Sequence, residues 1–237
     1  MKKHLIEILY ADEAMVVVSN PSGVPVIPER SGANVSLYEY LQQEFEDLMV
    51  VHRIDKGTSG LVCCARGPES HRHLSMQFQE HKVGKEYLAF VSGRVVPDAA
   101  TIDLPIAESV QTPGKMVVNK NGKAAISHYQ VLKQYKHVAL LSVNIETGRT
   151  HQIRVHLKYH GHPLLVDELY TGKSGFFLSE VKKKYKMSDE EERPIISRLT
   201  LHAYKLRLTH PVSAEVVEFT DPLPKDLATL QNLLEKY

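Results

Sequence analysis

Between residues 137 and 160 the apolar pattern changes period, and this change restricts the fold more than any other stretch of the chain. Leu141, Val143 and Ile145 alternate with Ser142, Asn144 and Glu146, the two-residue repeat of a strand with one buried face. From about 150 to 160 the repeat becomes helical, with Ile153 and Leu157 one turn apart and Gly161 as a stop. The junction reads Glu146-Thr147-Gly148-Arg149-Thr150-His151-Gln152-Ile153-Arg154-Val155-His156. Polar groups crowd the first turn and a half of the helix, where backbone amides and the positive helix end favour phosphate or a carboxylate. A solvated helix start whose long side chains cover apolar surface is the bland alternative. So dense a polar cluster directly after a core strand favours a site.

The rest of the chain punctuates in the same way. Residues 5–28 predict a β-hairpin region, with the run Met15-Val16-Val17-Val18, the turn cluster Asn20-Pro21-Ser22-Gly23, and then Val24 to Ile27. Ser36 and Glu39 form a capping-box pattern that opens a helix to about Leu48. A short apolar strand at 61–65 precedes a helix over 69–81, ended by Gly84, and a strand from Tyr87 to Val91. Residues 97–123 read as loops with short strands, and 124–133 pairs with 137–146. Strands near 199–208 and 214–220 and a helix after Pro224 close the chain. Strands dominate with scattered helices, so the class is α+β rather than a doubly wound sheet. No repeat or long linker appears, and a single domain over 1–237 is expected.

Residues 173–193 stand apart as a charged insertion, with Lys182, Lys183, Lys184 and Lys186 ahead of Asp189 to Glu192. Charge runs of this kind are usually solvated faces, though an appendage whose lysines contact phosphates is the sharper reading. Apolar residues at 43% and charged residues at 24% describe an ordinary globular chain, and no run reaches the roughly 20 apolar residues of a membrane helix. The first residues carry no apolar run of a signal peptide. Adjacent Cys63 and Cys64, with no other cysteine, fit packing roles in a reducing, cytoplasmic compartment. A net charge of +1 means that nucleic-acid binding must rest on local patches.

A second polar segment, Val51-His52-Arg53-Ile54-Asp55-Lys56-Gly57-Thr58-Ser59-Gly60, joins an arginine and a carboxylate to a glycine-bearing turn and a buried strand. A loop fixed to a sheet can hold Asp55 rigidly toward a cleft. Equally, Asp55 can serve as a cap for the Thr58-Ser59 turn. Thirteen histidines raise a metal hypothesis, and His156 and His160 have helical i, i+4 spacing. Leu157 follows the first of them where a zinc helix carries Glu, so no metal is expected. Ser59 lies outside a nucleophile elbow, and the glycine-rich nucleotide loops are missing from the sequence.

Together the two segments resemble the RluA-type RNA pseudouridine synthases. Their His-Arg-Leu-Asp-x-x-Thr-Ser-Gly pattern is matched from His52 to Gly60, with Ile54 in place of Leu. Lys85-Glu86-Tyr87-Leu88-Ala89, Gly148 to His156, Gly161-His162-Pro163-Leu164 with Asp167, and Leu201-His202-Ala203 follow in family order over about residues 5–225. Val166 stands where Gly is common, and with the motif starting at residue 52 no room is expected for the N-terminal S4 domain of many relatives.

The resemblance implies an α+β catalytic domain on a mixed, mostly antiparallel sheet with flanking helices and loops. It also implies cofactor-free isomerisation of uridine to pseudouridine in structured ribosomal or transfer RNA. The implied catalytic residues are Asp55, Tyr87 stacking on the target uracil, and Arg154 pairing with Asp55. Arg53 is implied to enter the space left by a flipped nucleotide, with Lys56 and Arg149 as phosphate contacts. An RNA stem-loop is the expected partner, with no membrane and no obligate protein partner. A non-catalytic RNA-binding protein and a metal-dependent hydrolase are the competing classes.

Overall fold

The computed structural model describes residues 6–29, 34–182, 185 and 192–237. In chain order these form β1 (Glu7–Ala11), β2 (Met15–Asn20), α1 (Leu37–Leu41), β3 (Leu48–Val50), β4 (Ser59–Arg66), α2 (Gly67–Gln79) and β5 (Gly84–Ser92). Then come β6 (Ala99–Asp103), β7 (Ile106–Glu108), β8 (Met116–Val118), β9 (Ile126–Gln134), β10 (Val138–Ile145), α3 (Gln152–Tyr159) and α4 (Glu168–Thr171). β11 (Leu201–Thr209), β12 (Val216–Thr220) and α5 (Lys225–Lys236) complete the order. The expected mixture of helices with mostly antiparallel strands is what forms. No helix among the described residues is long and apolar enough to cross a membrane. Lys183, Lys184, Lys186 and Asp189 to Glu191 of the charged insertion lie outside the described residues.

The chain divides into two compact units, Met1–Glu86 with His202–Pro222 and Tyr87–Leu201 with Leu223–Tyr237. Two of the three divisions fall within β5 and β11, and the third lies between β12 and α5. In the first unit the strand order is β1-β2-β4-β11, with β12 beside β11 and β3 beside β4. The run Met15 to Val18 becomes β2 as predicted, but its hairpin partner is β1 upstream, not Val24 to Ile27. Asp12 makes that turn: its carboxylate accepts the Ala14 and Met15 N–H groups at 2.8 Å each. Partial burial alone would raise the Asp12 pKa. The hydrogen bonds from Tyr10, the two amides and His210 outweigh it and bring the value down to about 2.

β2 and β4 read as unbroken apolar runs because they are buried on both faces, with Val16, Val17 and Val18 all fully covered. Met15, Val17, Leu61, Cys63, Leu74, Leu206 and Leu208 form the core here. Each fully buried aliphatic side chain contributes about 1.5–3 kcal/mol. Both cysteines are buried and unbridged, and burial pushes the Cys64 thiol up to about 12, so both are inert packing groups. The capping box at Ser36 and Glu39 forms as expected. Its helix ends at Leu41 rather than near Leu48, because Leu48 to Val50 is drawn into antiparallel pairing with β4.

In the second unit β10, β9 and β6 pair antiparallel, and β7 with β8 makes a separate two-stranded ribbon. Leu141, Val143, Ile145, Ile153, Leu157 and Leu164 share one core with Ala89 and Leu201. Val166 is fully buried, so its side chain occupies core space beside Asp167. The junction between β10 and α3 therefore carries polar residues at the rim of a packed core.

Candidate active site

The loop 52–60 is pinned at nearly every residue. His52 lies flat on Phe78, with ring centroids 4.4 Å apart, and its Nε2 accepts the Cys63 N–H at 2.9 Å. Burial, and to a lesser degree the charge of Lys85, lowers the His52 pKa to about 3, so the ring is neutral and an acceptor at this nitrogen. The Thr58 N–H bonds the Asp55 carbonyl at 2.8 Å, closing the turn through backbone. The Lys56 carbonyl accepts the Gly23 N–H at 2.7 Å, and the Gly57 carbonyl accepts the Ser22 hydroxyl at 2.6 Å. At the exit β4 meets β11 in parallel, Ser59 opposite His202 and Gly60 opposite Ala203. A Cβ on Gly60 would lie 2.3 Å from the Ala203 carbonyl oxygen, and its φ is +116°. Only glycine satisfies both conditions. Asp55 is half-buried at the middle of this loop and Arg53 is exposed.

The second polar segment resolves into struts and one buried cation. Gln152 accepts the Thr147 hydroxyl at 2.8 Å and the Arg149 N–H at 3.0 Å. Its amide donates to the Ile126 carbonyl and to Ser127 Oγ. Ser127 lies 2.9 Å from His156 Nδ1, and His156 Nε2 donates to the Leu104 carbonyl, also at 2.9 Å. Burial lowers the pKa of His156, which fits a neutral ring accepting from Ser127. His156, a candidate metal ligand by spacing, is thus a structural post, and His160 packs edge-on to Tyr129. Gln152 belongs to the same framework, not to anion binding.

Arg154 is almost fully buried, and Asp167 takes its Nε and Nη2 at 2.9 Å each. The guanidinium also lies 4.9 Å from the Tyr170 ring centroid. Asp167 was legible in the sequence only through its place after Gly161-His162-Pro163-Leu164; nothing in the spacing pointed it at Arg154. Tyr87 is half-buried, packed on the core of its unit. Arg149 donates from Nε to the Ala124 carbonyl at 2.9 Å, which anchors its stem. Lys56 is exposed and paired with Glu29 at 2.7 Å.

A model of the RNA pseudouridylate synthase family matches residues 14–159, a span that holds both polar segments. The chain belongs to this family. It is 36% identical over 237 residues to ribosomal large subunit pseudouridine synthase D of Pseudomonas aeruginosa, covering 98% of this chain and 72% of that one. It is 35% identical over 240 residues to an RNA pseudouridine synthase of Bacillus subtilis, covering 98% and 73%. The solved structure of human RNA pseudouridylate synthase domain containing 4 superposes with a TM-score of 0.73 at 26% identity, covering 97% of this chain and 93% of that chain. As a pseudouridine synthase the chain is an isomerase that converts uridine to pseudouridine in RNA. Aspartate-dependent, cofactor-free chemistry follows from the family.

Proposed function

We propose that this pseudouridine synthase acts on a stem-loop of large-subunit ribosomal RNA in the cytoplasm, with Asp55 as the catalytic carboxylate and the two units working as one catalytic domain. The observation that carries the reading is the loop around Asp55, held by its neighbours' backbone and side-chain bonds on both sides. The reaction breaks the N1–C1′ bond, turns the uracil and rejoins it through C5. Attack on C1′, attack on C6 and removal of a sugar proton all require a carboxylate held still against the nucleotide. A non-catalytic RNA-binding loop has no need of that constraint.

In this reading Tyr87 stacks on the uracil, Arg154 supports the ionised carboxylate, and Arg53 fills the space vacated by the flipped base. Lys56 and Arg149 contact phosphates, which position the RNA without reading its sequence. The ribosomal target is supported by the relatives, which are named as ribosomal large subunit pseudouridine synthases. The buried thiols fit a reducing compartment.

Release of tritium from C5-labelled uridine in ribosomal and transfer RNA transcripts tests the proposal. Asp55→Asn keeps size and polarity but removes charge and nucleophilicity, so it should abolish release while RNA affinity stays near that of the parent. Near-normal release by this variant would end the assignment of Asp55. Release from transfer RNA alone would move the substrate to that class.

A further inference from the structure

We propose that Ser59 and His202 are positioning residues for Asp55, acting as a buried hydrogen-bonded relay that fixes the exit of the catalytic loop. Ser59 Oγ lies 2.9 Å from His202 Nδ1, and His202 Nε2 lies 2.8 Å from the Asp221 carbonyl oxygen. A carbonyl can only accept, so Nε2 carries the proton. If the ring carries only that proton, Nδ1 offers its lone pair and the Ser59 hydroxyl donates to it. The Asp221 carboxylate is 3.8 Å from Nε2, beyond hydrogen-bond distance, and takes the Ser19 hydroxyl at 2.6 Å. One chain of bonds therefore ties the loop through β11 to the segment after β12, while the Asp221 side chain closes on β2.

Serine, histidine and aspartate together invite a nucleophile reading, and burial refuses it. Ser59 is 4% exposed, His202 1% and Asp221 7%, so no RNA atom reaches the hydroxyl. Their effect must pass through the backbone. Ser59 is four residues from Asp55, and the Thr58 N–H is bonded to the Asp55 carbonyl. Beside it Gly60 has no room to shift against Ala203. Of the contacts that hold the exit, the Ser59 hydroxyl is the one that can be removed without crowding the backbone. Removing it frees the turn to drift by fractions of an ångström, and misplacements near 1 Å cost about a hundredfold in rate. Ground-state binding, made by exposed cations, does not depend on the relay.

The inference rests on Asp55 being the catalytic carboxylate, so Asp55→Asn is measured alongside. If Asp55→Asn stays active, the site assignment falls irrespective of Ser59. If it is inactive and Ser59→Ala is normal, only the relay falls. The test uses Ser59→Ala and Ser59→Cys, the latter nearly isosteric but a weak donor. Leu74→Ala is the comparison, a core truncation in the same unit that loses stability and removes no hydrogen bond of the loop. Under single-turnover conditions with saturating enzyme, Ser59→Ala should lose about tenfold or more in rate, Ser59→Cys less, and both should keep RNA affinity within about twofold. Leu74→Ala should keep its rate below its melting temperature. Unchanged rates for both Ser59 variants, loss in proportion to RNA affinity, or an equal rate loss in Leu74→Ala overturns the relay. Nitrogen-15 shifts of His202 in the parent protein add a check that needs no variant. They should report Nε2–H with a bare Nδ1 at neutral pH, and a proton on Nδ1 overturns the proposal.

Discussion

Arg154 and Asp167 meet as a fork, Nε to Oδ2 and Nη2 to Oδ1, both at 2.9 Å and both buried. A bidentate pair sets the plane of the guanidinium as well as its distance. Asp167 is itself held, because its Oδ1 also accepts the Tyr170 N–H that opens α4 at 3.2 Å. Asp167→Ala should cost a few kcal/mol, since the buried guanidinium loses its bidentate partner and α4 loses its N-cap. Arg154→Met should reduce tritium release severely. The double variant Arg154→Met with Asp167→Leu replaces both charges by apolar groups and should regain much of the stability but none of the activity. Urea unfolding and tritium release on the same preparations separate the two effects. Recovery of activity in the double variant would show that Arg154 serves only the fold.

Acid should weaken the loop through His52. Its folded-state pKa lies near 3, below the ordinary 6.5, so the unfolded chain binds the proton more readily. The stabilisation from the neutral ring is present in full above pH ~6.5 and is lost as pH falls from there toward 3. Asp12, with its pKa near 2, adds loss only below about pH 4. Urea midpoints should therefore fall between pH 6.5 and 4.5, before carboxylates contribute much. His52→Gln keeps an acceptor for the Cys63 N–H and removes the titration, so its midpoint should vary less across that window. An identical decline in this variant would assign the acid sensitivity elsewhere.

Much of this organisation was legible in the sequence, and the exceptions have a common cause. β10 and α3 followed from their apolar period and β9 from its pairing with β10, although β10 is covered on both faces as far as Val143 and α3 is buried at every residue from Gln152 to Leu157. The partner of β2 was misread because strands covered on both faces carry no alternation to set a register, and Val24 and Val26 are buried without forming a strand. The helix after Ser36 was read too long because helical spacing persists through Phe45, while sheet pairing claims Leu48. Asp55, Tyr87 and Arg154 came from a resemblance carried by local motifs. The links of Ser59 to His202 and Arg154 to Asp167 bridge 143 and 13 residues, and no local pattern encodes them.

Gly60→Ala should be the most damaging single-methyl change in the loop. The added Cβ would meet three backbone atoms of Ala203 within 2.8 Å, and the φ of +116° is hostile to any side chain. Backbone atoms cannot step aside as a flexible side chain can, so β4 and β11 would have to part where they pair in parallel. A stability loss of a few kcal/mol is expected, on the order of other changes at special backbone angles. Gly23→Ala is the comparison, with φ +93° but nothing within 4 Å of its Cβ, so it should lose only the conformational part. Equal unfolding midpoints for the two variants would show that the close approach to Ala203 contributes nothing.

Lys56 and Arg53 stand three residues apart on the same loop, yet their loss should read differently. Lys56 is exposed and held by Glu29 at 2.7 Å, and that hydrogen bond is the main reason the Glu29 pKa is lowered. To bind phosphate the lysine must leave this partner. Glu29→Gln should therefore tighten RNA binding at low salt. Lys56→Gln should weaken it on every RNA alike and reduce the salt slope by roughly 0.7–0.9, the release of about one counterion. Arg53 is proposed to occupy the place of a flipped nucleotide, so Arg53→Ala should leave the salt slope nearly unchanged. Its rate defect should be large on a stem-loop, where extrusion breaks stacking, and should shrink when the target uridine lies in an unstructured strand. Binding isotherms over a salt series and single-turnover rates on the two RNAs measure both residues. An equal rate loss for Arg53→Ala on both substrates would remove its role in extrusion and leave it, like Lys56, a contact to the backbone.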